Sequence, residues 1–317
     1  MQENGNSSVA FGNSSAQQPQ DDDSSANTIH AVAGLLNFSC NLTLFAALLC
    51  KNRRTRMDRF LAAYAFGSSL LGLGYASEAM KYLLLHNWQV LVRPAYCLLV
   101  SPNVLLYAIG DNMASFSIFC MAMNSFVAIC FTQVSGILRQ AMQRSVLLCI
   151  LFPVGDATWC WISAFSKDHE KIPILCDYME TVGSLYAVYH VCVVSIVGAV
   201  SIAVYVAALI LLMRRKSSSS GVRAVQIRRE AAVMKQVLFI VLVTFLFLSM
   251  PNIIEMLSIL EQVNVSLSEN IWFMQHVGFS IAAMYRIFAD ISLRQAIRRA
   301  VWFLKKSDTV VETIQTL

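Results

Sequence analysis

Charge is what this chain has least of. Asp, Glu, Lys and Arg make up 14% of its 317 residues, where about 25% is usual in a soluble protein. Apolar residues reach 57% and the mean hydropathy is +0.58, so a globule of this composition would lack the polar surface to cover itself. That excludes a soluble enzyme or a nucleic-acid-binding domain, and the net charge of +5 has to be read by location before it says anything about partners. Lys and Arg are absent before Lys51, and cysteine is absent after Cys192. No apolar stretch precedes the first long apolar block, so nothing reads as a cleavable signal peptide.

Signatures of catalysis are missing as well. No Gly-x-Ser-x-Gly elbow occurs, and the five histidines stand singly, without the close His/Cys/carboxylate spacing that a metal site needs. Gly110-Asp111 resembles the pair found in intramembrane aspartyl proteases, but Ala108 stands where those carry a preceding Gly, and no second membrane Asp follows a Tyr. The paired broken helices of many transporters are also not apparent. The expectation is a protein that is not an enzyme and holds neither cofactor nor metal.

What the chain does have is apolar residues in long blocks. Seven can be marked, from about Ile29 to Cys50, Phe60 to Leu85, Cys97 to Phe131, Ser145 to Phe165, Gly183 to Met213, Ala232 to Ile259 and Ile271 to Ala289. Each is long enough to cross a hydrocarbon core of roughly 30 Å as a helix, and only a helix satisfies its own backbone there. In the third block Ser101-Pro102 reads as an N-cap and first helical position, which leaves Cys97 in or beside the preceding loop. The predicted fold class is an all-α membrane protein, a bundle of seven transmembrane helices with a short amphipathic eighth. Residues 1–28 are expected to be a disordered extracellular tail, 29–306 the transmembrane domain and 307–317 a short cytoplasmic tail.

Orientation follows from the basic residues. Of the 24 Lys and Arg, 20 lie in the segments after the first, third, fifth and seventh blocks, and only Lys81, Arg93, Lys167 and Lys171 lie on the other side. By the positive-inside rule the N-terminus is outside and the C-terminus inside. The sequons at Asn6, Asn13 and Asn264 agree with that topology; those at Asn37 and Asn41 lie inside the first block. Seven of the nine cysteines sit within the helices or at their inner ends, as small apolar side chains. Cys97 and Cys176 alone lie at the oxidising outer face, so they are expected to form a disulfide.

Seven helices, an outer N-terminus and an outer Cys pair resemble a rhodopsin-like G protein-coupled receptor. Asn41 stands 28 residues before Ser69, the spacing that family keeps between the Asn of helix one and the Asp of helix two. Asn124-Ser125-Phe126 resembles the Asp-Arg-Tyr at the end of helix three. Phe245 and Pro251 match the Phe and Pro of helix six, Tyr205 a Tyr of helix five, and Tyr285 the Tyr at the end of helix seven. The departures are Ser69 for the sodium-site Asp, Ser125 for the Arg of Asp-Arg-Tyr, Ser249 for the Trp before Pro251 and Ala282 for the Pro of Asn-Pro-x-x-Tyr. This erosion, with Arg53-Arg54 and a Lys/Ser-rich third inner loop, most resembles the nematode serpentine chemoreceptors of class sx.

The resemblance implies a plasma-membrane receptor with a small-molecule or peptide ligand, a heterotrimeric G protein as its cytoplasmic partner, and the lipid bilayer around it; dimerisation stays open. Asp111 lies 14 residues before Ser125, or about 21 Å along a helix, which is pocket depth. Family alignment brings Tyr107, Tyr186, Tyr189, His190, Trp272 and Gln275 around it, and Glu255, a charge within a turn or two of the outer end of the sixth block, joins the candidate ligand site. A charge in hydrocarbon costs about 2.5–3.5 kcal/mol on insertion scales, so Asp111 needs a partner. That partner is a cationic or hydrogen-bond-donating ligand, a neighbouring helix that meets the protonated acid, or a water or ion replacing the one that Ser69 cannot hold. A ligand-gated channel or transporter subunit is the competing class; seven-helix channel subunits of the insect olfactory type place the N-terminus inside, against the charge count here.

Overall fold

The structure, a computed structural model, describes residues 22–52, 54–84, 90–130, 136–217, 238–261 and 268–299. The sequons at Asn6, Asn13 and Asn264, the basic stretch 218–235 and the chain beyond 299 lie outside the described residues. The rest is almost entirely helical. In chain order come α1 (Asp22–Leu49), α2 (Arg56–Leu84), β1 (Leu91–Val92), α3 (Pro94–Val100), α4 (Asn103–Cys130), α5 (Gly136–Ser166), β2 (Ile172–Pro173), α6 (Tyr178–Val182), α7 (Ser184–Ser217), α8 (238–261), α9 (Ser268–Ala289) and α10 (291–299). Six of these, α1, α2, α4, α5, α7 and α8, are long and apolar enough to cross a membrane. These are the dimensions of an all-α, multi-pass membrane protein.

Three boundaries differ from the sequence expectation. α1 begins at Asp22, so 22–28, assigned to a disordered tail, is helical; Thr28 donates back to the Ser24 carbonyl at 2.9 Å. Cys97 is not in a loop but in the short helix α3, which starts at Pro94, and Pro102 forms the turn into α4. α5 starts at Gly136, nine residues before the apolar block, and carries Pro153 in its interior. In the first and last cases the helix runs past the apolar stretch, because the backbone hydrogen bonds continue after the lipid-facing residues stop; in the second, the apolar block is divided between α3 and α4.

The helices form an inner and an outer set. The membrane windows of α2 and α4 are each 67% buried within the protein, against 22% for α5 and 28% for α7. Small residues set that arrangement, since association in lipid relies on close packing more than on apolar burial. A Cβ added at Gly110 would lie 2.7 Å from Leu71 Cγ and 2.9 Å from the Gly67 carbonyl oxygen. Gly34 and Gly72 make the same approach between α1 and α2. The outward apolar side chains, among them Leu151, Leu185, Ile196 and Phe288, present a surface that suits lipid and not water.

Helix α8 holds a π turn at Phe245–Ser249, closed by the Met250 N–H on the Phe245 carbonyl. Pro251 follows after Met250. Its ring crowds the carbonyl four residues back and it has no N–H to give, and the wider turn makes room for it. The turn seats Ser249 against Gly198 of α7, where no Cβ would fit.

The two ends of the bundle are closed differently. At one, Cys97 and Cys176 are disulfide-bonded with Cα atoms 5.5 Å apart, and β1 pairs antiparallel with β2, Leu91 opposite Pro173. Lys81 at the end of α2 donates to the Leu175 carbonyl at 2.6 Å and to Ser101 Oγ. At the other, Thr55 and Asp58 form a capping box for α2: the Asp58 N–H bonds Thr55 Oγ1 at 3.2 Å and the Thr55 N–H bonds the Asp58 carboxylate at 2.8 Å. Lys51 pairs with Asp58 at 2.9 Å and with Asp290 at 3.6 Å. Asp290 in turn caps α10, accepting from the Ser292 N–H at 2.9 Å.

Candidate functional site

Two buried groups of polar side chains join several of the apolar helices. The first lies on α4, α5, α7 and α9. Asp156 Oδ2 accepts three hydrogen bonds, from Tyr186 OH at 2.7 Å, Asn112 Nδ2 at 2.9 Å and His190 Nδ1 at 2.9 Å. A carboxylate only accepts, so Nδ1 carries the proton. The other ring nitrogen, Nε2, faces Asp111 Oδ2 at 3.5 Å, an ion-pair separation without hydrogen-bond geometry. His190 therefore lies between two carboxyl groups, Asp156 on its Nδ1 side and Asp111 on its Nε2 side. The Tyr186 ring stacks on it, centroids 5.9 Å apart at 24°.

Asp111 is 5% exposed and Gln275 1% exposed. The Gln275 side chain hydrogen-bonds with the Asp111 carboxyl group, and the buried atoms Asp111 Oδ1, Gln275 Oε1, His190 Nε2 and Tyr178 OH have no further hydrogen-bond partner among the described residues. Glu255 on α8 interacts electrostatically with Asp111, His190 and Asp177. Tyr178 closes the group from α6, its ring 6.1 Å from His190. The group lies at the end of the bundle that the disulfide closes, Tyr178 being two residues after Cys176.

The expected pocket is brought together in part. Asp111, Tyr186, His190 and Gln275 meet. Tyr107 turns toward α2 instead and donates to Glu78, which also interacts with Lys81 and Asp177. Tyr189 is 46% exposed beside Trp159, ring centroids 6.3 Å apart, and Trp272 is half-buried on α9. Asn112 and Asp156 complete the group; as a charge in hydrocarbon Asp156 is expected to pair with another helix or a water, and it pairs with side chains of α4 and α7. The available signal was Asp156 itself, a charge in the middle of an apolar block.

The second group joins α1, α2 and α9. Asn37 Nδ2 lies 2.9 Å from His276 Nδ1 and donates to the Ser68 carbonyl at 3.2 Å, while Asn41 Nδ2 donates to Asn37 Oδ1 at 2.7 Å. His276 stacks on Tyr75 at 4.0 Å, and Tyr75 bonds His30. These contacts pin three helices and leave His276 a core histidine. Asn37 and Asn41, the sequons inside the first block, are fully buried.

The residues matched to receptor switches lie toward the basic end. Ser125 is buried and donates to its own helix at Met121 O, 2.9 Å. Asn124 and Phe126 are half-buried, Tyr205 is 1% exposed, and Tyr285 packs its ring on Phe239 at 4.3 Å. Phe245 and Pro251 bracket the π turn. No group of three or more possible metal ligands occurs among the described residues. The chain matches no model of a known protein family, and no curated protein proves similar to it.

Proposed function

We propose that the chain is a seven-helix receptor of the rhodopsin-like type, with its N-terminus outside the plasma membrane, sensing an extracellular small molecule and signalling to a heterotrimeric G protein. On this reading α9 is the seventh span and α10 the amphipathic eighth helix. The sequons of the tail carry glycans, and the basic end faces the cytoplasm. The observation that carries the reading is the buried Asp111–His190–Asp156 group: charged side chains drawn from several helices, at the end of the bundle that the disulfide closes. Small-molecule sites combine apolar and aromatic walls with a few placed polar groups, and charges inside a membrane protein mark function more often than packing. A ligand bound there bears on α4, α7 and α8 together, and α8 carries the π turn and Pro251, where a helix bends.

The test is a ligand screen in cells with a second-messenger readout and current recorded in parallel. A messenger response that vanishes in the Asp156→Leu variant at normal surface expression supports the receptor. Ligand-evoked current that persists with G proteins blocked overturns it in favour of a channel subunit.

A further inference from the structure

Seven cysteines stay free outside the Cys97–Cys176 disulfide, and two of them are neighbours. Cys120 on α4 and Cys149 on α5 bring their sulfurs within 3.9 Å of each other, the Cys149 thiol directed at Cys120 Sγ and the Cys120 thiol at the Ser145 carbonyl, 3.7 Å away. Cys149 is fully buried and Cys120 is 4% exposed. One turn along, Phe116 of α4 stacks on Phe152 of α5 with centroids 4.0 Å apart, which holds the two helix faces together. Water does not reach either sulfur, but hydrocarbon is close: Leu148 and Ile150, on either side of Cys149, are both exposed on the outward surface of α5. Thiols in such surroundings are inert toward water-borne oxidants, because those react with the thiolate and a charge there is costly. Chemistry at this pair has to run on neutral thiols and on a reagent dissolved in the membrane.

We infer that Cys120 and Cys149 are a modification site, joined into an intramembrane disulfide by lipid peroxyl radicals. The inference does not depend on the receptor reading. A peroxyl radical takes a whole hydrogen atom from a thiol, so no charge is created in hydrocarbon. The first transfer breaks one S–H bond, forms the O–H bond of a lipid hydroperoxide and leaves a thiyl radical with its partner sulfur 3.9 Å away. A second peroxyl radical takes the hydrogen of the other thiol, and the two thiyl radicals couple. Two thiols and two peroxyl radicals thus give one disulfide and two hydroperoxides; each sulfur is oxidised by one electron, each radical is reduced by one, and no proton is released. A solitary buried thiol would stop at the thiyl radical. Coupling needs the sulfurs to close from 3.9 Å to about 2.05 Å, a movement of two short side chains across helix faces already in contact. The bond ties α5, the least buried of the six long apolar helices, to α4, one of the two most buried.

The experiment uses the full-length protein reconstituted in vesicles of a polyunsaturated phosphatidylcholine. One sample receives a lipid-soluble azo initiator, which raises peroxyl radicals within the bilayer, and another receives hydrogen peroxide in the buffer. Non-reducing digestion and mass spectrometry then follow all seven free cysteines. The expected result with the initiator is a peptide pair joined through Cys120 and Cys149, lighter than the two reduced peptides by two hydrogens, with the two thiols lost in equal amounts. Hydrogen peroxide should instead consume the exposed Cys50 first and leave the pair reduced. Cys120→Ala should abolish the joined product, with no other cysteine taking the place of Cys120. Both thiols intact while lipid hydroperoxide accumulates around them overturns the inference and leaves the pair as packing. A pair joined equally well by hydrogen peroxide, or Cys149 joined to a third cysteine, also overturns it. The comparison of the two oxidants on the unaltered protein stands even if the variant does not fold.

Discussion

His190 is held by Asp156 on one side and Asp111 on the other, so its part in the fold is measured by taking its charge away. His190→Leu leaves two buried carboxylates without their cation, which costs about 3–5 kcal/mol. Thermal unfolding in detergent should show that loss, and Asp156→Leu added to the same chain should return at least 0.5 kcal/mol of it, since neighbours in one network couple by about 0.5–3 kcal/mol. Simple additivity of the two would argue against the pairing. Asp111 and His190 stood out in the sequence because a charge within an apolar block is rare. Their partners were not legible there. Asn112 adjoins Asp111, yet successive residues of a helix point about 100° apart, and which of two adjacent positions meets α5 depends on how α4 is rotated. Helices apolar on every face carry no stripe to fix that rotation.

Among the elements, the start of α10 shows how an end is decided by side chains. Burial alone would raise the Asp290 carboxyl, but the Ser292 hydrogen bond, Lys51 and Arg286 together hold it below its ordinary value. A carboxylate with a depressed folded pKa stabilises the fold at every pH above its unfolded value, and that contribution is lost as pH falls through the folded one. The protection of the Ser292 and Leu293 amides from hydrogen exchange, taken relative to the intrinsic rate at each pH, should therefore be high at neutral pH and fall on acidification below about 3.9, the ordinary Asp value. Asp290→Ala should give the fast rate at neutral pH, at a cost of about 1 kcal/mol. Slow exchange in that variant would mean the cap is idle. The existence of a helix after Asp290 was readable from its apolar and basic residues. The π turn of α8 was not: Pro251 announces a disturbance, but whether the helix kinks or widens is settled by Gly198, a residue of another helix that leaves room for Ser249.

For the whole molecule, the Cys97–Cys176 disulfide and the β1–β2 pairing tie α3 and the turn before α4 to the segment after α5. Cys97→Ser should lower stability by roughly 2–4 kcal/mol and reduce surface delivery, seen as a lower melting temperature and less surface labelling. A variant with an unchanged melting temperature would assign the tie no structural weight. Six of the apolar blocks were legible as long helices, because hydrocarbon acts on composition alone, and so was the cysteine pair. The inner position of α2 and α4 was not, since it rests on single glycines meeting across an interface.

The tie also sets a clock on biosynthesis. Cys97 and Cys176 are 79 residues apart, and the whole of α4 and α5 is made between them. At about 5–20 residues per second, Cys97 spends roughly 4–16 s as a lone thiol before its partner leaves the ribosome. Any other thiol within reach in that interval is a competitor, so the yield of correctly joined chain should rise with translation speed across this stretch.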